Sequence, residues 1–119
     1  MNKLSIILPV LNEAALIGTA LTALQHVRLR GAELLVVDGG SSDDTVQLAA
    51  ALADRVVVAR SGRAQQMNRG AEMASGDILL FLHLDSELPE GAMDFIEQHC
   101  GSSANHCGWF DVRLSHPGY

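Results

Sequence analysis

The chain has 119 residues, 48% of them hydrophobic and 18% charged, which suits one domain with a buried core and is too apolar for a disordered chain. Lys and Arg number 8 against 14 Asp and Glu, a net charge of −6, and this excludes the cationic stripe that a nucleic-acid backbone requires. No apolar run approaches the ~20 residues of a membrane span, and the start Met1-Asn2-Lys3-Leu4 has no signal-peptide core.

Leu4–Leu8 reads as a buried strand closed by Pro9. Asn12 fits a helix N-cap, with Glu13 at the positive helix end. Ile17, Leu21 and Leu24 carry that helix to about His26, and Gly31 breaks it. Glu33–Val37 is a second strand, stopped by Asp38-Gly39-Gly40. Ser41 and Asp44 resemble a capping box, and Val46, Ala49, Ala50 and Ala53 give the next helix its apolar stripe. Arg55–Ala59 is a third strand. After the Ser61-Gly62 turn, Ala64, Met67, Ala71 and Ala74 mark one helical face, and Gly76 stands where a C′ glycine would. Ile78–Leu82 lacks polar alternation, as a strand buried on both faces does. Pro89 opens a further helix through Met93, Phe95 and Ile96. Gly101–Asn105 is a loop, and Trp109–Leu114 alternates as a strand.

The order β-α-β-α-β-α-β predicts an α/β fold: three layers, α/β/α, around a mostly parallel sheet. Such sheets bind ligands at the carboxyl ends of their strands. Polar residues stand there in this chain: Asn12 and Glu13, Asp38, Arg60 and Arg63, then His83, Asp85 and Glu87. Asp38 follows four apolar residues and precedes two glycines, which leaves room for backbone approach. Oxygen ligands two residues apart, as in Asp85-Ser86-Glu87, suit a hard cation that bridges diphosphate oxygens. That matters in a chain whose single lysine is Lys3. The plainer readings are a solvated acidic loop, a helix cap at Asn12 and a solvated arginine face. His99-Cys100 and His106-Cys107 are adjacent pairs, unlike the spacing of zinc sites. A dinucleotide fingerprint and a P-loop are both absent.

Pro9-Val10-Leu11-Asn12-Glu13, then Leu35 to Thr45 (LVVDGGSSDDT), then Gly76 to Asp85 (GDILLFLHLD) resemble family 2 glycosyltransferases of the GT-A fold. The stretch Gly62 to Gly70 (GRAQQMNRG) matches too. His83-x-Asp85 resembles a bacterial subgroup with His-x-Asp in place of Asp-x-Asp. The resemblance implies a nucleoside-diphosphate sugar donor, UDP-linked, a divalent Mn²⁺ or Mg²⁺ and inverting transfer to an acceptor. It implies that Pro9, Leu11, Asn12 and Glu13 line the nucleotide pocket, with Glu13 near the ribose. Asp38 would accept from the base, Arg63 would approach the diphosphate and Asn68 would shape that wall. Asp85 would bind the metal, with His83 or Glu87 completing the site. Gly39 replaces the second acid of the family's Asp-Asp-Gly-Ser motif, which is expected to loosen base recognition.

The resemblance also implies that residues 1–119 are the nucleotide-sugar-binding portion of a GT-A domain. The acceptor half and its catalytic base would be absent. The exposed apolar face would then drive self-association or pairing with the missing C-terminal half. The expected location is the cytoplasm, with an acceptor at the membrane surface left open. The alternatives are a non-catalytic fragment that binds a nucleotide or a partner and, less favoured for want of a Gly-rich activation loop, a sugar nucleotidyltransferase.

Overall fold

Strands and helices alternate through the computed structural model, which describes residues 3–84 and Gly91. Strand β1 (Leu4–Val10) leads through α1 (Ala14–Ala23) and α2 (Gln25–Leu29) to β2 (Glu33–Asp38). Helix α3 (Thr45–Ala50) leads to β3 (Arg55–Val58), and α4 (Arg63–Met73) leads to β4 (Ile78–Phe81). The elements expected after Pro89, and the two His-Cys pairs, lie outside the described residues. Among the described residues no helix is long and apolar enough to cross a membrane.

The sheet is parallel, in the order β3-β2-β1-β4. The chain steps outward from β1 to β3, and α4 then carries it back to the far side of β1. That return creates a topological switch point between β1 and β4.

Alternation along the strands sends side chains to two cores. Ile6, Leu8 and Val10 pack with Leu34, Val36 and the helical residues Ile17, Leu21 and Val27. Ile7, Leu35 and Val37 meet Met73 and Ala74 at the end of α4. Helices therefore cover both faces, the three-layer α/β arrangement that the element order implies. All six residues of β2 are buried, as a central strand requires.

Three local features differ from the sequence reading. First, β1 does not stop at Pro9 but continues to Val10. Alternate residues of a parallel strand bond to opposite neighbours. The Ile7 carbonyl accepts from Leu82 N–H on the β4 side, and the Val10 carbonyl accepts from Gly39 N–H on the β2 side. Pro9 shares the parity of Ile7, so its missing N–H faces β4, where pairing has already ended at Ile7 with Phe81. Proline is tolerated in this central strand because the pairing of β1 with β4 stops short of it.

Second, the buried residues of α4 are Gln66 and Gly70, while Ala64 and Ala71 are exposed. A Cβ on Gly70 would overlap the Ile7 side chain and lie 3.1 Å from Val37 Cγ2. Close approach to the sheet, not hydropathy, selects the inward face. Third, Gly76 caps no helix, because α4 ends at Met73 with Ala74 extended. A Cβ on Gly76 would stand 2.7 Å from the Lys3 carbonyl oxygen, so this glycine lets the chain cross close to β1.

A polar knot closes the opposite end of the sheet. Glu33 Oε1 accepts from Ser5 Oγ at 2.7 Å, Ser75 N–H at 3.0 Å and Ser75 Oγ at 3.1 Å. Its Oε2 accepts from Arg55 Nε at 3.2 Å, and Arg55 also reaches the Met73 carbonyl.

Candidate functional site

Two loops at the carboxyl end of the sheet are tied together side by side. Asn12 N–H donates to Ser41 Oγ at 2.7 Å, and Asn12 Oδ1 accepts from Ser42 N–H at 2.8 Å. Glu13 N–H donates to Thr45 Oγ1 at 2.8 Å, and Ala14 N–H to Asp43 Oδ2 at 3.2 Å. The first amides near the start of α1 are thus satisfied by residues about thirty positions on rather than by a local cap. Asn12 is accordingly not the N-cap: α1 starts after Glu13, which makes no side-chain cap bond. Asn12 instead holds a backbone φ of 52°, a left-handed conformation that asparagine tolerates better than most residues.

The expected capping box is also absent. Helix α3 starts after Asp44, which makes no side-chain cap bond. Asp43 takes that place, accepting from Thr45 N–H at 3.0 Å and from the Thr45 hydroxyl. The Thr45 hydroxyl, aided by the N–H groups of Thr45 and Ala14, holds the Asp43 carboxyl below its ordinary range. Asp38, 2% exposed, folds its own loop. Its Oδ2 accepts from Gly40 N–H at 2.9 Å and Ser41 N–H at 2.8 Å, and its Oδ1 accepts from the Ser41 hydroxyl.

A cleft of about 200 Å³ opens at the switch point, lined by Pro9, Val10, Leu11, Glu13, Arg63, Gln66 and His83. Arg63 begins α4 and His83 follows β4, so the crossover brings together two residues twenty positions apart. Arg63 Nη2 lies 2.5 Å from His83 Nε2 and 3.2 Å from Nδ1. The guanidinium and the imidazole thus occupy one corner of the cleft. Ligand sites for drug-sized molecules span about 300–1,000 Å³, and the space between the described walls falls below that range.

Of the residues expected from sequence, Pro9, Leu11, Glu13, Arg63 and His83 share this cleft. Asn12 and Asp38 stand in the loops beside it and build those loops. Asn68 is exposed on α4 and is not among the lining residues. Asp85 and Glu87 lie outside the described residues. Among the described residues no three His, Cys, Asp or Glu side chains converge on one point. The imidazole of His83 suits Mn²⁺ better than Mg²⁺.

Gln66 is, with Val10, a lining residue that the sequence reading left out. It is 5% exposed. Its Nε2 donates to the Val10 carbonyl at 2.9 Å and to the Val37 carbonyl at 2.9 Å, and its Oε1 accepts from Gly62 N–H at 3.2 Å. The available signal was the spacing Gly62, Gln66, Gly70, one helical face with two glycines.

The glycosyl transferase family 2 model matches residues 5–99. A PGL/p-HBAD biosynthesis glycosyltransferase of Mycobacterium bovis is 39% identical over 93 residues, 72% of this chain and 36% of that protein. The GalNAc(5)-diNAcBac-PP-undecaprenol beta-1,3-glucosyltransferase of Campylobacter jejuni is 32% identical over 114 residues, 89% of this chain and 37% of that protein. Among solved structures, glucosyl-3-phosphoglycerate synthase from Mycobacterium tuberculosis, in complex with Mn²⁺, UDP and glucosyl-3-phosphoglycerate, superposes with a TM-score of 0.64. It is 33% identical, and the match covers 74% of this chain and 35% of that one. The chain thus spans little more than a third of the length of these relatives.

Proposed function

Because this chain belongs to glycosyl transferase family 2, we propose that it forms the donor side of a sugar-transferring enzyme and binds a UDP-linked sugar with a divalent metal. The observation that carries this reading is the switch-point cleft, where Pro9, Leu11 and Glu13 face Arg63 and His83. Pro9 and Leu11 form the apolar wall for the nucleoside, and Glu13 accepts from the ribose hydroxyls. Arg63, a planar cation with five donors, meets the diphosphate. Asp38 turns the lone pairs that its loop leaves unused toward the base, and Asn12 holds the loop beside it. Asn68 supports the α4 wall from outside the cleft.

His83, Asp85 and Glu87 would hold Mn²⁺ or Mg²⁺. When bound, the ion neutralises charge on the departing nucleoside diphosphate. Transfer is inverting and needs a base to take the acceptor proton. We assign that base, and the acceptor pocket, to chain outside residues 1–119, with which this domain pairs.

Calorimetric titration of the folded chain with UDP, GDP and ADP, each with Mn²⁺ and with EDTA, tests the proposal. Binding of UDP that EDTA abolishes is expected, and Asp85→Ala should remove the metal dependence. A folded chain that binds none of the three sinks the donor-site reading. Binding that is unchanged by both EDTA and Asp85→Ala sinks the metal assignment alone.

A further inference from the structure

We infer that Gln66 is the positioning residue of the donor cleft, and that position 39 is glycine to make room for its amide; this rests on the donor-site reading above. One side chain joins three walls. Its two N–H groups hold Val10, the root of the loop Leu11–Glu13, and Val37, the root of the loop Asp38–Ser41. Its oxygen holds Gly62 N–H, one residue before Arg63. Every hydrogen of the amide is used, in a site nearly closed to water. The nucleoside wall, the base loop and the arginine are therefore set in register by one group on α4.

Gly39 is the counterpart. A Cβ there would stand 2.9 Å from Gln66 Oε1, 3.0 Å from Cδ and 3.2 Å from Nε2. The end of a glutamine is ordinarily free to swing aside, but here a swing gives up the amide's bonds to the Val10 and Val37 carbonyls and to Gly62 N–H, and leaves the Val10 carbonyl with Gly39 N–H alone. A side chain at position 39 and the Gln66 amide in this placement thus compete for one space. The second acid of the Asp-Asp-Gly-Ser motif is missing from this chain because the Gln66 amide fills its space. Gly39 tightens the base side of the cleft rather than loosening it.

Gly39→Ala, Gln66→Ala and the double variant of the full chain test the pair with three readouts: hydrogen exchange of the Gln66 side-chain amide by NMR, Kd for UDP with Mn²⁺, and Tm. In the unmodified chain the Gln66 protons should exchange slowly, and in Gly39→Ala as fast as an exposed amide. Each single variant should weaken UDP about tenfold, within the coupling range of residues in contact. The double variant should be no weaker than Gln66→Ala. Fast exchange in the unmodified chain, single effects that multiply in the double, or a fall in Tm with Kd unchanged would each overturn the inference. If Gly39→Ala does not fold, recovery of folding in the double variant supports the collision, and failure of both overturns it. If the unmodified chain binds no nucleotide, the donor-site reading is lost. The exchange experiment then decides separately whether the clamp exists.

Discussion

Glu33→Ala should destabilise the fold by about 3 kcal/mol and leave the donor cleft untouched. Glu33 accepts four hydrogen bonds from Ser5, Ser75 and Arg55. Without it the fully buried Ser5 hydroxyl loses its acceptor, and so does the Ser75 amide. Each unsatisfied buried donor costs about 1–3 kcal/mol. Arg55 is 38% exposed, rehydrates, and adds little. One full and one partial loss give about 3 kcal/mol, a fall in Tm of about 12 °C or more for a domain near 100 residues.

The loss depends on pH. Burial pushes the Glu33 carboxyl up, but the Ser75 N–H, the Ser5 and Ser75 hydroxyls and the Arg55 charge outweigh it and hold the group below its ordinary value. A carboxyl depressed in the folded state contributes stability above its unfolded pKa, about 4.3. That contribution fades as pH falls through the folded value. Urea unfolding of both proteins from pH 7 downward should therefore show a gap that is constant above about pH 5 and narrows below it. A gap under about 0.5 kcal/mol at pH 7, typical of an inert surface position, or one that does not narrow in acid, would refute the reasoning. Glu33 opens β2 and Asp38 ends it, roughly 17 Å apart at the rise of an extended strand, so UDP affinity should not change.

Gly70→Ala tests the packing of α4. On an exposed helix the change would gain about 1 kcal/mol. Here the new methyl meets Ile7 and Val37, overpacking costs about 1–3 kcal/mol, and chemical denaturation should show a net loss of up to about 2 kcal/mol. A gain would mean that α4 does not sit this close to the sheet. Asn12→Gly and Asn12→Ala both lose the bond from Ser42, but only alanine must also hold the left-handed φ. Thermal melts should place the glycine variant about 1 kcal/mol above the alanine variant, and the reverse order would show that Asn12 adopts another backbone conformation.

The sequence by itself determined the α/β class, because buried parallel strands and amphipathic helices carry distinct local periods. It also determined which end of each strand carries polar groups, and so named Glu13, Arg63 and His83 before any of them was seen to be a neighbour of the others, while Pro9 and Leu11 came from the family resemblance. It could not determine strand order, which depends on pairing between residues far apart in the chain. Only the return of α4 across the sheet brings Arg63 to His83 and opens the cleft between β1 and β4. Local pattern misplaced the inner face of α4 because Gly70 and Gln66 are buried for reasons that hydropathy does not record: one for lack of a side chain, the other to satisfy two carbonyls. The same holds for Asn12 and Ser41. Their local signature is that of helix caps, and it took the tertiary structure to pair one loop with the other, because a backbone amide is satisfied by whichever acceptor the fold brings within reach.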